Sequence, residues 1–347
     1  MTSTAATGAL ERLAALPRTH LATLPTPLER GPGLPGGIRL WVKRDDLSGL
    51  GAGGNKARKL EFLCGDALRA GARSLVTVGA EQSNHCRMTA AAGAVLGLEV
   101  HLVLSGDRPA SATGNQLLAE LFGAQLHHVG CPAHHWGELE IARDQLTGEL
   151  QAAGAAPYSI PMGGSTAVGA LGYVAAYVEL VEQCQAAGMH PAAIVHASSS
   201  GGTHAGLVAG QALLRSLGHR DLPDVLAIGV AKGVNMGIPD VADLATEALT
   251  LLGAEDADVG PEAVEVDTRW LGPDYGVPTP SGDEAVRWGA LHGGWIFDRT
   301  YTGKGFAGLL GNAATGRWRS GTEVVFIHTG GLPAVFAPDG APSPARR

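Results

Sequence analysis

The stretch "GAGGNKARKLEFL", residues 51–63, runs from a glycine-rich turn directly into a helical pattern. The chain has only five lysines among its 25 basic residues, and two of them, Lys56 and Lys59, lie one helical turn apart here. A lysine in the first turn meets the positive end of the helix dipole, which disfavours a permanent ammonium. The position suits an amine that loses its proton or reacts with a carbonyl. A pair of solvated surface lysines is the simpler alternative at this point.

Outward from this stretch, short apolar runs alternate with amphipathic segments. A strand is expected over 38–46, a helix from Lys56 to Gly71, and further strand–helix pairs follow from "SLVTVGA" onward. A second alternating set of helices and strands begins with the helical pattern "ALGYVAAYVELVEQCQAAG". Strand–helix alternation is typical of parallel βαβ units. We therefore expect two α/β lobes that share a ligand-binding cleft, with a partly ordered arm over the first ~20 residues and a frayed tail.

Composition excludes several classes of protein. The 347 residues have a net charge of −8 and no basic stripe, so we expect no nucleic-acid partner. No window is apolar enough to cross a bilayer, and the first residues lack a signal-peptide pattern. The four cysteines form no C-x-x-C pair and no zinc-ligand spacing, so no metal site is expected. These features favour a cytoplasmic protein with reduced thiols, no membrane association and no metal.

A second glycine-rich loop, "HASSSGGTHAG" at 196–206, follows an apolar strand and opens a helix. Such a loop presents backbone N–H groups and hydroxyls at a helix N-terminus, where an anion binds well. It lacks the lysine of a nucleotide-triphosphate loop and the G-x-G-x-x-G pattern of a dinucleotide loop. A small phosphate monoester fits the loop, and a turn that only caps a structural helix is the alternative.

Other polar turns belong to the same predicted cleft. Ser83, Asn84 and His85 lie between a strand and an alanine-rich helix, although Ser83 and Asn84 also suit helix N-caps. Tyr275 and Tyr301 lie in glycine-flanked loops, where purely structural tyrosines are also common. A reactive lysine together with a loop for a phosphate monoester describes pyridoxal 5′-phosphate, an aldehyde that carries a phosphate.

With these residues assembled, the chain resembles the 1-aminocyclopropane-1-carboxylate deaminase / D-cysteine desulfhydrase family. The resemblance spans about residues 17–337 and rests on motifs in the family's order: "LPTPLE", "WVKRDD", "GGNKARKLEFL", "QSNH", "SSSGGTHAGL", "YGVP", "YTGKGFAGL" and "HTGGLPAVF". It implies the tryptophan-synthase-β-like fold (fold type II), with two open, twisted, mostly parallel α/β domains and the cofactor between them. The implied large domain is 1–57 with 166–347, and the small domain is 58–165.

The resemblance also implies roles for individual residues. Lys56 would bind the cofactor aldehyde covalently, and Lys59 would lie near the phosphate. Ser83 would act as a catalytic hydroxyl near the substrate, whereas Asn84 would bind the cofactor's phenolic oxygen, and the substrate site would include Ser83, Asn84 and His85. Tyr301 would lie against the ring, and Tyr275 would reach the substrate. The phosphate would be held by residues 199–203, namely Ser199, Ser200, Gly201, Gly202 and Thr203.

Three positions favour the desulfhydrase branch. His85 follows Ser83–Asn84 where deaminases have glutamine; Thr302 replaces a glutamate, and Thr329 stands where deaminases have leucine. A threonine beside the pyridine nitrogen gives a weaker electron sink, which suffices when a good leaving group departs from Cβ. Two departures, "HCRMTA" and "SSSGG", differ from the usual family sequences and leave the substrate open.

The expected function is thus a pyridoxal-phosphate-dependent β-elimination that converts D-cysteine to pyruvate, ammonia and sulfide, by a homodimer acting on a small amino acid. Sibling alternatives are 1-aminocyclopropane-1-carboxylate deaminase, L-cysteate sulfo-lyase and a biosynthetic enzyme for another β-substituted amino acid. A non-catalytic carrier of the cofactor and a cofactor-free sugar-phosphate binder are alternatives from other classes.

Overall fold

The structure is a computed structural model, and it describes residues 4–231, 240–257 and 259–343. Within these ranges helices and strands alternate as the sequence predicts. The strands are β1 (Leu28–Arg30), β2 (Arg39–Lys43), β3 (Ser74–Gly79), β4 (Glu99–Leu104), β5 (Gln125–His128), β6 (Pro157–Ile160), β7 (Ala193–Ser198), β8 (Asp224–Gly229), β9 (Glu265–Asp267) and β10 (Glu323–Ile327). The helices are α1 (Thr4–Ala15), α2 (Lys56–Arg69), α3 (Asn84–Leu96), α4 (Gly114–Leu121), α5 (Trp136–Ala152), α6 (Ala167–Ala186), α7 (Gly202–Ser216), α8 (Val241–Leu251), α9 (Pro280–Trp288) and α10 (Thr302–Ala314).

The strands form two sheets. The larger has the order β1-β2-β10-β7-β8-β9, in which every neighbouring pair is parallel except β1 with β2. The smaller has the order β5-β4-β3-β6 and is parallel throughout. Every residue of β3 and β7 is buried, as expected of central strands covered by helices on both faces. This architecture confirms the predicted mostly parallel α/β fold.

The two sheets take their strands from different parts of the chain. All four strands of the smaller sheet come from residues 74–160, and the larger sheet uses strands on either side of that span. The exact boundaries at 57/58 and 165/166 stay a prediction.

Helix α2 packs closely against α6, and this contact fixes the start of α2. A Cβ at Gly172 of α6 would lie 2.3 Å from the carbonyl oxygen of Arg58, so glycine alone permits this approach. Most of α2 is buried, including Arg58, Lys59 and Glu61. The helix that begins with Lys56 is therefore an internal element with little freedom to shift.

The prediction of a partly ordered N-terminal arm was wrong. Residues Thr4–Ala15 form α1, and its Ala9 and Leu13 are buried in the core beside α6 and α8. The predicted strand over 38–46 is shorter, because β2 ends at Lys43 and a 3-10 turn occupies Asp45–Leu47. The last four residues of the predicted frayed tail, 344–347, lie outside the described residues. In the described ranges, no helix combines the length and apolarity needed to cross a membrane.

Candidate active site

The carboxyl ends of four strands open into one cleft. β2, β10 and β7 are neighbours in the larger sheet, and the loop after β3 of the smaller sheet also lines the cleft. Its volume is about 720 Å³ including space open to solvent, within the usual size range of small-molecule sites. The lining includes most of the predicted site residues: Lys56, Ser83, Asn84, His85, Ser199, Ser200, Gly201, Thr203, Tyr275, Tyr301, Thr302 and Thr329. Lys59 and Gly202 lie behind this surface.

Lys56 is the first residue of α2, and its Nζ donates to Asn55 Oδ1 at 3.1 Å. Burial, together with the nearby charge of Arg87, lowers the pKa of Lys56 to about 8, and Asp298 partly opposes this shift. A substantial fraction of the side chain is therefore neutral near pH 8, and a neutral amine is the form that attacks a carbonyl. The predicted reactive amine has the protonation that this chemistry needs.

The glycine run before Lys56 forms a turn that other residues could not adopt. Gly53 has a φ of +73°, and a Cβ there would lie 1.8 Å from the carbonyl oxygen of Asp46. Gly54 has a φ of +135°, and its Cβ would lie 3.2 Å from the carbonyl oxygen of Thr329. The turn therefore brings the start of α2 against the loop that follows β10.

Asn55 connects the lysine to the second glycine-rich loop. Its Oδ1 accepts from Lys56, and its Nδ2 donates to Thr203 Oγ1 at 3.1 Å. The 15-residue helix α7 begins at Gly202, so its positive end lies at this side of the cleft. Three hydroxyls of the same loop, on Ser199, Ser200 and Thr203, line the cleft. Together these groups form a cradle suited to a phosphate.

Lys59 supports this cradle from behind. Its buried Nζ donates to the carbonyl oxygen of Gly163 at 2.6 Å and to Ser165 Oγ at 3.4 Å. A Cβ at Gly202 would lie 2.6 Å from this Nζ, so glycine is required for the approach. Ser165 Oγ in turn donates to Ser200 Oγ at 2.8 Å. Burial, with Lys56 nearby, holds the pKa of Lys59 well below its usual value, so the side chain supports the loop through hydrogen bonds. Its predicted contact with a cofactor phosphate stays a prediction.

The turn after β3 presents Ser83 and Asn84 to the cleft. Ser83 caps α3, since its Oγ accepts from the N–H of Cys86 at 3.2 Å. Asn84 Oδ1 accepts from Asn115 Nδ2 at 3.0 Å, which orients the Asn84 amide. Ser83 therefore has the capping role that the sequence left open, and it also lines the cleft, where its hydroxyl proton is available.

His85 lines the cleft and has one ring nitrogen without a hydrogen-bond partner among the described residues. Thr77 Oγ1 donates to the carbonyl oxygen of Ile160, so the 2.8 Å contact between Thr77 Oγ1 and His85 Nε2 requires His85 to donate. The buried Nδ1 is then an acceptor, and it has no partner in the described part of the chain. Burial, with Lys56 and Lys59 nearby, holds the pKa of His85 well below its usual value, so the ring is neutral.

The two tyrosines form a pair. The hydroxyls of Tyr275 and Tyr301 are in hydrogen-bond contact, and their rings meet edge to face at 5.9 Å. Burial raises the pKa of Tyr275 to about 12 and the pKa of Tyr301 well above its usual value, so both hydroxyls hold their protons at neutral pH. The ring of Trp136 packs edge-on against Tyr275 at 4.7 Å. These side chains form an aromatic wall of the cleft.

Thr302 and Thr329 meet at the end of β10. Thr302 Oγ1 donates to the carbonyl oxygen of Gly330 at 2.8 Å and lies 3.3 Å from Thr329 Oγ1. The Thr302 proton is thus committed to the backbone, and the Thr329 hydroxyl is the freer of the two. The N-terminus of α10 is capped by Asp298, whose carboxylate accepts from the N–H groups of Thr300, Tyr301 and Thr302.

Comparison with known proteins places this geometry in a family. The family model "Pyridoxal-phosphate dependent enzyme" matches residues 20–330. The chain belongs to the pyridoxal-phosphate-dependent enzymes. The D-cysteine desulfhydrases of Salmonella typhi and Salmonella newport are each 39% identical to this enzyme over 337 residues, which is 94% of this chain and 98% of the relative. The family resemblance inferred from the sequence is confirmed.

Solved structures agree on the fold of this pyridoxal-phosphate-dependent enzyme. A structure of an ACC deaminase homologue matches with a TM-score of 0.83 and 36% identity, covering 95% of this chain and 96% of the other. The processed form of threonine deaminase isoform 2 from Solanum lycopersicum matches with a TM-score of 0.64 at 15% identity, covering 94% of this chain and 90% of the other. This second likeness shows the fold alone. The predicted fold type II architecture is confirmed.

The residues of the cleft fit pyridoxal 5′-phosphate. The chemistry of the donor set is suitable, because a lysine of lowered pKa and a hydroxyl-lined cradle at a helix N-terminus open into one cleft. Gly202 keeps the cradle open, since a side chain there would displace Lys59 and Ser165. Lys56 would hold the aldehyde carbon, and residues 199–203 would hold the phosphate.

Several residues of the cleft were missed by sequence reasoning. Asn55 precedes the predicted lysine but has no pattern that signals a bridge to Thr203. Trp136 begins a helix in a region where the sequence pattern is ambiguous, and Asp298 lies three residues before Tyr301 of the motif "YTGKGFAGL", outside it. Asp298 lies shortly before a predicted helix, and this position could have identified it as a helix cap.

Proposed function

We propose that this enzyme is a β-elimination lyase that converts D-cysteine and water to pyruvate, ammonia and hydrogen sulfide. The Cα–H and Cβ–S bonds break, and hydrolysis of the resulting enamine releases ammonia. The observation that carries the proposal is Lys56, a lysine of lowered pKa in a cleft that also contains the Ser83 hydroxyl and two protonated tyrosines. Near-full-length similarity to D-cysteine desulfhydrases supports the substrate.

Residues of the chain transfer protons and orient the substrate. When bound, the cofactor supplies an aldehyde that captures the substrate amine and a ring that accepts the electron pair left at Cα. Lys56 Nζ, as a neutral amine, accepts the Cα proton. The Ser83 hydroxyl binds the substrate in the same cleft and orients it. The Tyr275–Tyr301 pair donates a proton to the departing sulfur, since both hydroxyls are protonated at neutral pH.

Thr302 and Thr329 support elimination of a good leaving group. Hydroxyls cannot protonate a pyridine nitrogen as a carboxylic acid can, so a ring held by Thr329 withdraws electrons less strongly. Loss of a thiol from Cβ is less demanding than opening a cyclopropane, which has no leaving group. The second candidate, a deaminase that opens 1-aminocyclopropane-1-carboxylate, is kept because an ACC deaminase homologue has a closely matching structure.

A product assay on the cofactor-loaded enzyme tests the proposal. We expect equal amounts of pyruvate and sulfide from D-cysteine, and no 2-oxobutyrate from the cyclopropane. Lys56→Ala should lose both turnover and the visible absorbance of the bound cofactor, because the covalent link to the protein is removed. L-cysteine, L-cysteate and β-chloro-D-alanine complete the substrate set.

The outcomes separate the candidates. If the enzyme forms 2-oxobutyrate from the cyclopropane and releases no sulfide from D-cysteine or L-cysteine, the proposal is overturned in favour of the deaminase. A coloured protein that acts on none of these amino acids would identify a carrier of the cofactor.

We also propose a homodimer on the basis of the family resemblance. Sedimentation equilibrium should then give twice the 35.4 kDa chain mass. A cytoplasmic location stays a prediction that cell fractionation tests.

A further inference from the structure

The aromatic wall of the cleft is rigid. Trp136 is 9% exposed and packs with Val78, Val103 and Leu139, which hold its ring in place. Its ring meets Tyr275 at a centroid distance of 4.7 Å and an angle of 81°. The Tyr275 hydroxyl is held by Tyr301. Because each ring is fixed by the next, this wall cannot move aside for a bulky ligand without disturbing the core.

The charge of the cleft is also restricted. Among the described residues that line it, Lys56 is the one lysine or arginine, and the proposed function commits its amine to the cofactor and the Cα proton. His85 is neutral, and Asp298 adds a carboxylate. Two further buried side chains, Lys59 and Arg87, do not line the cleft; Lys59 Nζ donates to the carbonyl oxygen of Gly163, and Arg87 Nη2 donates to that of Gly53. A sulfonate or carboxylate on Cβ would therefore meet no lysine or arginine side chain of the lining other than Lys56.

We propose that the cleft accepts amino acids whose β-substituent is compact and uncharged, and that Trp136 sets the size limit. This inference rests on the proposed function, and it concerns the size and charge of the β-substituent that the cleft can hold. L-cysteate falls outside that class because of its charge. S-substituted cysteines with an aromatic or long thioether fall outside it because of the Trp136 ring.

The test compares wild-type holoenzyme with Trp136→Ala and Trp136→Phe on D-cysteine, S-benzyl-D-cysteine and both enantiomers of cysteate, with pyruvate as the common product. For Trp136→Ala, we expect the ratio of kcat/KM for S-benzyl-D-cysteine to that for D-cysteine to rise at least ~10-fold, the scale of one misfitted group in an apolar pocket. Trp136→Phe keeps an aromatic ring, so its ratio should stay near that of the wild type. Cysteate should remain unreactive with all three proteins.

Binding gives a readout that does not depend on turnover. D-alanine and D-phenylalanine have no leaving group on Cβ, and calorimetry on holoenzyme gives the Kd of each. Trp136→Ala should lower the Kd of D-phenylalanine relative to the Kd of D-alanine by a similar factor. Trp136→Phe should leave this ratio of Kd values unchanged. Retention of cofactor absorbance and of the thermal midpoint shows that each variant is folded; if Trp136→Ala does not fold, Trp136→Leu takes its place.

Two results would overturn the inference: unchanged ratios in the folded, shortened variant, or efficient release of pyruvate from cysteate by the wild type. The proposed function fails separately, since it fails only if the wild type releases no sulfide from D-cysteine. In that case the calorimetric comparison still decides whether Trp136 limits the size of the ligand.

Discussion

At the scale of single residues, the buried cation Arg87 adds to the effect of burial on the pKa of Lys56. Arg87 is fully buried on α3, and its Nη2 donates to the carbonyl oxygen of Gly53 at 2.9 Å. Its Nε and Nη1 have no hydrogen-bond partner in the described ranges. Burial lowers the pKa of Arg87 to about 10, so it is charged at neutral pH. A buried cation without a carboxylate is costly, which suggests that its field is used.

Arg87→Met should raise the pKa of Lys56 above about 8, because removing a neighbouring positive charge favours the ammonium form. The amine of cofactor-free protein would then react more slowly with an acylating reagent at pH 8. Mass spectrometry of the peptide containing Lys56, over a range of pH, measures this shift. Arg87→Lys keeps the charge and should retain the wild-type profile. Identical profiles for the methionine variant and the wild type would contradict this role.

At the scale of elements, the glycines before and after α2 meet different constraints. Gly53 and Gly71 have nearly the same φ, +73° and +75°. A Cβ at Gly53 would collide with the carbonyl oxygen of Asp46 at 1.8 Å, whereas a Cβ at Gly71 would meet nothing within 4 Å. The pair therefore separates backbone strain from lack of space.

Gly71→Ala should destabilise the protein by about 1–2 kcal/mol, the strain of a left-handed residue with a side chain. Gly53→Ala should cost clearly more, because the turn must also move away from Asp46. That movement displaces the start of α2, so bound-cofactor absorbance should fall in Gly53→Ala alone. Urea unfolding and absorbance of the two holoenzyme variants measure these effects. Equal losses in both variants would show that the close approach to Asp46 has no consequence.

The same scale shows what the sequence can predict. The alternation of apolar runs and helical patterns predicts β3, α3, β7 and α7, because these central strands are mostly apolar and each leads through a short turn into a helix. The first helix was missed, because its stability comes from Ala9 and Leu13 packing on a distant part of the chain. The sequence did not predict that Trp136 lines the cleft for the same reason, since its contact with Tyr275 joins positions far apart in sequence.

At the scale of the whole molecule, a buried group of charges joins three parts of the chain. Arg58 of α2 donates to Asp45, which follows β2, at 2.9 Å, and to Glu179 of α6 at 2.9 and 3.0 Å. Lys43 contacts Glu179, and the Tyr173 hydroxyl donates to Asp45 at 2.5 Å. The two cations and two carboxylates balance in charge. The group fixes α2, and therefore Lys56, against the larger sheet and α6.

This group should make stability depend on pH. Although burial opposes it, the cations hold the pKa values of Asp45 and Glu179 below their ordinary values of 3.8 and 4.5. Because the folded state then binds these protons less readily than the unfolded chain, the stabilisation is complete above pH 4.5. It is lost as the pH falls through the unfolded and then the folded pKa values.

Arg58→Met removes the cation that contacts both carboxylates and should cost about 3–5 kcal/mol at pH 7, as expected for an uncompensated buried charge. Burial is then opposed by Lys43 and, at Asp45, by the Tyr173 hydroxyl, so the folded-state pKa values of Asp45 and Glu179 rise, and acid destabilises the variant less than the wild type. Urea unfolding at pH 7 and pH 4 should therefore show a gap between the two proteins that narrows in acid. Arg39→Met is the matched control, because Arg39 is exposed and 3.9 Å from Glu323, and it should change stability by no more than about 0.5 kcal/mol. A gap that stays constant with pH would mean that Arg58 stabilises the fold through packing rather than through its charge.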